Sequence, residues 1–167
     1  MTDALSRLFD EYHDPLVRVV YRRTGDLDLA EEITQEVFAR ATVVPPRNPR
    51  PWLFAVALNL VREHGRTRTR QGRLLELYRA ETPALAPAAD VELERNEKVD
   101  RVRAALATLN VRDREALLLK AEGFDYDEIA ATLGLAKGAI GTTLNRARRR
   151  LVEAYRAEEG RQRHAAS

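Results

Sequence analysis

Apolar residues recur at helical spacing along this chain, and that periodicity most restricts the fold it can adopt. Two such stripes are Ala30, Ile33, Val37 and Ala41, and Ile140, Leu144, Ala147 and Leu151. Spacings of three and four residues place these side chains on one side of a helix. The sequence is short of the Val, Ile and Thr runs that a sheet protein of this size needs. It therefore predicts an all-α fold.

Proline, glycine and capping side chains predict the limits of the N-terminal helices. Asp14-Pro15 has the form of an N-cap followed by proline at the first helical position, so a helix is expected to begin there. A second helix begins near residues 26–28 and must end at Pro45-Pro46, because proline cannot continue it. Asn48-Pro49 opens a third helix, which is expected to run to about Gly72.

The C-terminal part of the sequence predicts a helix-turn-helix. Helices are expected over residues 91–107 and 111–121, then a short one after Asp125, and a long one from about Lys137 to Tyr155. Asp125 and Glu128 form a capping box, and Gly134 supplies a tight turn between the last two helices. In a helix-turn-helix, the turn holds the second helix at an angle that fits the major groove of DNA.

A change of composition divides the chain into two small helical domains. Residues 73–90 lose the helical periodicity and contain two prolines. Residues 74–100 hold seven acidic and three basic residues, whereas both flanking blocks are basic. We expect one domain over residues 1–72 and another over 91–157, joined by a flexible acidic linker over 73–90. Residues 158–167 are expected to form a disordered polar tail.

Several classes of function are disfavoured by what the sequence lacks. Cysteine is absent, and the three histidines are isolated, with no HExxH motif and no phosphate-binding loop. We therefore expect no catalysis, no metal and no cofactor. No stretch approaches the ~18 apolar residues of a transmembrane helix, and acidic residues near the N-terminus disfavour a signal peptide. The expected location is the cytoplasm.

The third predicted helix carries a polar face with an unusual mixture of side chains. Trp52, Asn59, Arg62 and Arg66 fall together on one side of it. Solvated helix faces rarely display tryptophan and asparagine. Stacking surface, amide groups and cations are what an extruded base and its backbone require. Trp52 could instead pack the helix against its neighbour, which we favour because core residues follow it at once.

The last predicted helix is basic on the side opposite its apolar stripe. Thr142, Asn145, Arg146 and Arg149 lie there and can face a DNA groove or its rims. Of the 28 basic residues in the chain, 25 are arginine, whose planar fork suits phosphates and base edges. A basic amphipathic helix could instead bind an acidic partner. DNA is the favoured ligand, and an acidic partner is the alternative.

Both halves of the sequence resemble one family. The run from Leu29 to Phe38, LAEEITQEVF, together with Pro51-Trp-Leu, looks like region 2 of the sigma-70 family. The run from Asp125 to Gly134, DYDEIAATLG, leading to Asn145-Arg-Ala-Arg, looks like region 4. Short chains with only these two regions resemble extracytoplasmic-function (ECF) sigma factors. The resemblance covers about residues 5–72 and 92–156.

The resemblance implies a protein that binds core RNA polymerase and directs it to promoter DNA. It assigns polymerase binding to Glu32, Gln35, Glu36 and Phe38. It assigns the −10 element to Trp52, Asn59, Arg62 and Arg66. It assigns the −35 element to Lys137, Thr142, Asn145, Arg146 and Arg149. An acidic face suits a basic partner surface, which agrees with the first assignment. An anti-sigma factor is a further partner that the resemblance makes plausible.

This sequence departs from the family pattern at several positions. Glu32 replaces the usual aspartate, which keeps the charge. Ala136 stands where a serine or threonine usually caps the last helix. Gly141 and Thr143 stand where the family often carries lysine and arginine, and glycine within a helix costs about 1 kcal/mol relative to alanine. We therefore expect −35 recognition to be weaker or of different specificity. Gly65 is expected to loosen the basic end of the third helix.

Two other functions remain open on the sequence alone. One is a stand-alone helix-turn-helix regulator whose N-terminal domain binds a partner. The other is a helical module that binds polymerase without initiating transcription. The face with Trp52, Asn59 and Arg66 favours a sigma factor, because a plain repressor does not need such a surface on its second domain.

Overall fold

The computed structural model describes the backbone of residues 2–76 and 93–167, and the side chains of residues 2–67 and 97–167. Within these ranges the chain forms seven α-helices and no strand, which confirms the all-α prediction. They are α1 (Asp3–Thr24), α2 (Leu27–Val43), α3 (Pro49–Glu76), α4 (Leu93–Thr108), α5 (Val111–Ala121), α6 (Tyr126–Leu133) and α7 (Lys137–Ala165). The expected flexible linker lies mainly outside the described residues. None of the described helices is long and apolar enough to cross a membrane.

The first helix begins well before its predicted start. α1 starts at Asp3 and contains Pro15, so the prediction that Asp14-Pro15 opens the helix was wrong. Leu5, Leu8 and Tyr12 are partly buried and pack against the core. Burial of these side chains holds the earlier turns in helix although Pro15 cannot donate a backbone hydrogen bond.

The next two helices begin where the capping signals predict. The Asp26 side chain accepts a hydrogen bond from the Leu29 backbone N–H at 3.0 Å, and α2 ends at Val43. α3 begins at Pro49 as predicted and continues to Glu76, a turn beyond the expected end at Gly72. The three N-terminal helices pack on one another around Leu16, Val20 and other buried residues.

The helix-turn-helix is formed by α6 and α7 with Gly134 between them. Both hydrogen bonds of the predicted capping box are present: the Glu128 N–H donates to Asp125, and the Asp125 N–H donates to Glu128. Gly134 has a φ of +65°, a left-handed conformation that favours glycine. As expected, no side chain caps α7 at Ala136.

The last helix is longer than the sequence predicts. α7 extends to Ala165, so the expectation of a disordered tail after residue 157 was wrong. Its later turns pack against α4, and Arg101 of α4 lies 3.8 Å from Glu159. These contacts supply the support that a short polar segment lacks by itself.

The two groups of helices, α1–α3 and α4–α7, are in direct contact; we call them the N-terminal and C-terminal domains. α1 packs on α5 and α3 packs on α6. Phe124, which precedes α6, is fully buried, and its ring meets that of Phe54 edge-on with centroids 4.8 Å apart. The buried apolar residues of both domains therefore form one continuous core.

Candidate polymerase and nucleic-acid surfaces

The acidic face of α2 is accessible to a partner. Glu32, Gln35 and Glu36 are exposed on it, and Glu36 pairs with Arg40 of the same helix at 2.9 Å. Phe38 does not share this surface: it is 7% exposed, and its ring lies 5.0 Å from that of Phe9. The early turns of α1 cover Phe38, and the sequence did not predict those turns to be helical.

The predicted −10 face of α3 is divided between packing and exposed side chains. Trp52 is half-buried and packs against the core, as favoured from the sequence. Asn59 and Arg66 are exposed. Arg62 donates a hydrogen bond to the Asn59 Oδ1 atom at 2.8 Å, which fixes the two side chains relative to each other.

Arg62 is also held by the other domain. Its second terminal nitrogen donates to Glu115 of α5, a carboxylate with no exposed surface. Arg23 of α1 lies 3.8 Å from the same carboxylate. Burial raises the pKa of Glu115, although Arg62, Arg23 and Arg114 act to lower it. An arginine predicted to hold DNA is therefore engaged within the protein.

Four of the five predicted −35 residues are exposed on α7. Thr142, Asn145 and Arg149 share the accessible side of the helix, and Lys137 is exposed at its first position. Lys137 donates to Asp127 of α6 across the turn, with its Nζ atom 2.9 Å from the nearer carboxylate oxygen. This hydrogen bond raises the pKa of Lys137, which stays charged. Thr142, Asn145 and Arg149 can approach a DNA groove together.

The fifth residue, Arg146, lies against the protein. Its Nη2 and Nε atoms donate to the two carboxylate oxygens of Asp113, at 2.6 Å and 3.2 Å. Asp113 is fully buried, and Arg150 also reaches it at 3.5 Å. The hydrogen bond to Asp113 raises the pKa of Arg146. Arg146 thus joins α7 to α5, and it orients the helix that carries the exposed residues.

The two family departures within α7 have different surroundings. Thr143 is 5% exposed on the inner side of the helix, so it does not belong to the accessible face. Gly141 is half-buried, and a Cβ atom there would lie 3.6 Å from the Tyr126 ring. Only Gly141 therefore bears on the shape of the surface that α7 presents.

Sequence reasoning missed the arginines that meet the C-terminal domain. Arg18 of α1 donates two hydrogen bonds to the Glu122 carboxylate, one from Nε at 3.0 Å. Arg50, at the start of α3, donates to Glu128 at 3.1 Å and lies 4.1 Å above the centre of the Phe124 ring. Partners separated by 104 and 78 residues leave no local signal in the sequence.

Comparison with known families identifies both domains. "Sigma-70 region 2" matches residues 8–71, and "Sigma-70, region 4" matches residues 100–151. The first match covers most of the N-terminal domain and disfavours a stand-alone regulator, which needs only the helix-turn-helix.

Individual relatives and a solved structure that resemble this chain are sigma factors. The ECF RNA polymerase sigma factor EcfG of Rhodopseudomonas palustris is 37% identical over 77% of this chain and 72% of that protein. BldN of Streptomyces coelicolor is 32% identical over 90% of this chain, which spans 60% of its length. The solved sigma factor RpoE of Bartonella quintana, in complex with the anti-sigma factor NepR, is 26% identical with a TM-score of 0.68, covering 93% of this chain and 98% of that one. The chain therefore belongs to the sigma-70 family, in its group of ECF RNA polymerase sigma factors.

Proposed function

We propose that this chain binds core RNA polymerase and directs it to promoters that carry a −10 and a −35 element. The observation that carries this function is the union, in one chain, of a region 2 domain and a capped region 4 helix-turn-helix. Polymerase supplies the chemistry of RNA synthesis, so the chain contributes recognition and no catalysis of its own. It acts in the cytoplasm, where bacterial polymerase meets DNA.

Polymerase binding is assigned to the acidic face of α2. Glu32, Gln35 and Glu36 are exposed there, and an acidic surface complements a basic one on a partner. Phe38 is assigned a packing role, because its ring is buried against Phe9 of α1 and does not reach the exposed face.

DNA binding is assigned to α3 and α7. Asn59 and Arg66 are accessible for the −10 element, and Arg62 joins them when its contact with Glu115 is broken. Lys137, Thr142, Asn145 and Arg149 face the −35 element. Arg146 is a positioning residue for α7, since Asp113 occupies its guanidinium.

An anti-sigma factor is a further proposed partner. The likeness to a sigma factor solved with its anti-sigma factor extends over 93% of this chain, and so takes in both domains. Purification of the tagged chain from its source cell, followed by mass spectrometry, tests whether such a partner accompanies it.

Reconstituted transcription tests the proposed function directly. The full chain is mixed with core RNA polymerase and fragmented genomic DNA, and the 5′ ends of the transcripts are sequenced. We expect start sites that share one pair of upstream elements. Transcripts without a shared pair, or no transcripts beyond those of core polymerase alone, contradict the function.

Charge reversal on α2 tests the assigned polymerase-binding face, and a reversal elsewhere controls for loss of folding. Glu32→Arg combined with Glu36→Arg is expected to abolish co-elution with core polymerase in gel filtration, because the acidic face becomes basic. Glu153→Arg changes an exposed glutamate on α7 and serves as the control. Equal co-elution of all variants would contradict the assignment to α2.

A further inference from the structure

Arginines of the N-terminal domain meet glutamates of the C-terminal domain along the contact between them. We define the arginine strip as Arg18, Arg23, Arg50 and Arg62. Arg18 pairs with Glu122, and Arg50 pairs with Glu128. Both Arg23 and Arg62 pair with Glu115. All the arginines lie on α1 or α3, and all the glutamates lie within or between α5 and α6. The contact therefore joins opposite charges across the two domains.

One of these pairs, Arg18 with Glu122, has the geometry with which arginine binds phosphate. Arg18 grips Glu122 with two parallel N–H donors, and Arg50 adds a hydrogen bond to the Glu122 carbonyl oxygen at 3.0 Å. An arginine fork binds carboxylates and phosphates through the same two-donor arrangement. A glutamate here can therefore occupy the place of a backbone phosphate.

One member of the strip is also a proposed DNA contact. Arg62 shares a hydrogen bond with Asn59 and is held by Glu115 at the same time. Its guanidinium cannot pair with a DNA strand while Glu115 occupies it. The contact between the domains thus competes with the −10 element for the same side chain.

The ion pairs between the domains are not fully satisfied. Glu115 is buried without exposed surface, yet its Oε1 atom and the nearby Arg23 Nε atom make no hydrogen bond. Buried charges with unsatisfied atoms carry a desolvation cost that their mutual attraction does not fully offset. These ion pairs therefore add little to the attraction that the shared apolar core, with Phe54 against Phe124, supplies between the domains.

We propose that the arginine strip is a binding site for nucleic-acid backbone, and that the free chain closes this site with its own glutamates. Glu115, Glu122 and Glu128 act as phosphate mimics until the domains part. Arg18, Arg23 and Arg50 then become available to DNA together with Arg62. Nucleic acid as the ligand of the strip rests on the proposed function; the closed form of the free chain does not.

Small-angle scattering of the full chain tests the closure. A single compact body of this length has a radius of gyration of about 15 Å. We expect wild type near that value and a larger radius for Glu122→Arg, which opposes Arg18 and Arg22 with a like charge. The double variant Arg18→Glu with Glu122→Arg restores opposite charges and is expected to return to the smaller radius. An unchanged radius in Glu122→Arg would overturn the closure, provided that circular dichroism shows intact helices.

Binding of a fluorescein-labelled oligothymidine strand tests the ligand. We expect tighter binding by Glu122→Arg than by Glu158→Arg, which makes the same charge change at an exposed pair within α7. The slope of log affinity against log salt is expected to steepen by about 0.7 for each arginine that gains a phosphate. Adding Arg18→Gln to Glu122→Arg should remove part of the gain in affinity for the strand.

The outcomes separate this site from the proposed function. Equal binding and equal salt slopes for the Glu122 and Glu158 variants would overturn the strip as a nucleic-acid site, even if the chain supports transcription. Opening with tighter strand binding, but without promoter-specific transcripts, would uphold the strip and contradict the proposed function.

Discussion

At the scale of single residues, Asp113 of α5 joins that helix to α7 through hydrogen bonds. It is fully buried and accepts hydrogen bonds from Arg146 and Arg150. We expect Asp113→Ala to lower the free energy of unfolding by about 2 kcal/mol, because hydrogen bonds to a charged group are lost. Urea unfolding followed by circular dichroism measures this.

Arg149 gives the matched comparison for that prediction. It is exposed on the same helix, and its side chain makes no hydrogen bond or ion pair with the described residues. Arg149→Ala should leave the urea midpoint unchanged and weaken binding to −35 DNA. If Asp113→Ala unfolds at the same urea concentration as Arg149→Ala, then Asp113 does not hold α7 in place.

Replacement of Gly141 by alanine should stabilise the protein. A Cβ atom there would make ordinary contact with Tyr126 at 3.6 Å, and the residue lies inside α7. Gly141→Ala is expected to raise the free energy of unfolding by about 1 kcal/mol, the difference in helix propensity. Gly134→Ala is the opposing control, because φ of +65° costs an L-residue about 1 kcal/mol. A loss of stability in Gly141→Ala would mean that Tyr126 cannot accommodate the methyl group.

At the scale of elements, local capping chemistry predicted the helices well, and tertiary contacts account for the exceptions. Asp26, Pro49 and Asp125 each mark a helix start found in the structure. Pro15 misled because Leu5, Leu8 and Tyr12 pack against the core of the protein and keep the turns before Pro15 helical. No local signal reports such burial, so α1 could not be bounded from sequence.

The capping box of α6 provides the test at this scale. Asp125→Ala is expected to cost about 1 kcal/mol of stability, because the Glu128 N–H loses its acceptor. Asp127→Ala removes a carboxylate from the same turn, one that pairs with Lys137 at the surface, and should cost less. Chemical denaturation of both variants compares them. Equal losses would indicate that charge in the first turn, rather than the cap, stabilises α6.

At the scale of the whole molecule, the sequence located surfaces but not the contact between domains. Most accessible residues of α2, α3 and α7 follow from helical periodicity, whereas Lys137 was assigned only by the family resemblance. The pairing of Arg62 with Glu115 joins residues 53 positions apart across two domains. Arg146 likewise looked available because its buried partner lies on another helix. Periodicity assigns a residue to a helix face, but only tertiary packing determines what that face meets.

Glu115 lies at the centre of this contact and should make stability depend on pH. Burial raises its pKa in the folded protein above the ordinary value of 4.5. The folded state therefore binds the proton more tightly than the unfolded state. Stability from this group is full below the ordinary pKa and falls as the pH rises towards the raised value. The groups that face it are Arg23, Arg62 and Arg114.

Comparison with Glu115→Gln isolates the effect, because glutamine has nearly the same shape and does not ionise. We expect the free energy of unfolding of wild type, relative to the variant, to decrease as the pH rises from about 4.5 towards neutrality. Urea titrations of both proteins at several pH values give this difference, in which the contributions of other carboxylates cancel. A constant difference would mean that Glu115 titrates alike in the folded and unfolded chain. A difference that increases with pH would mean that its arginine partners outweigh its burial.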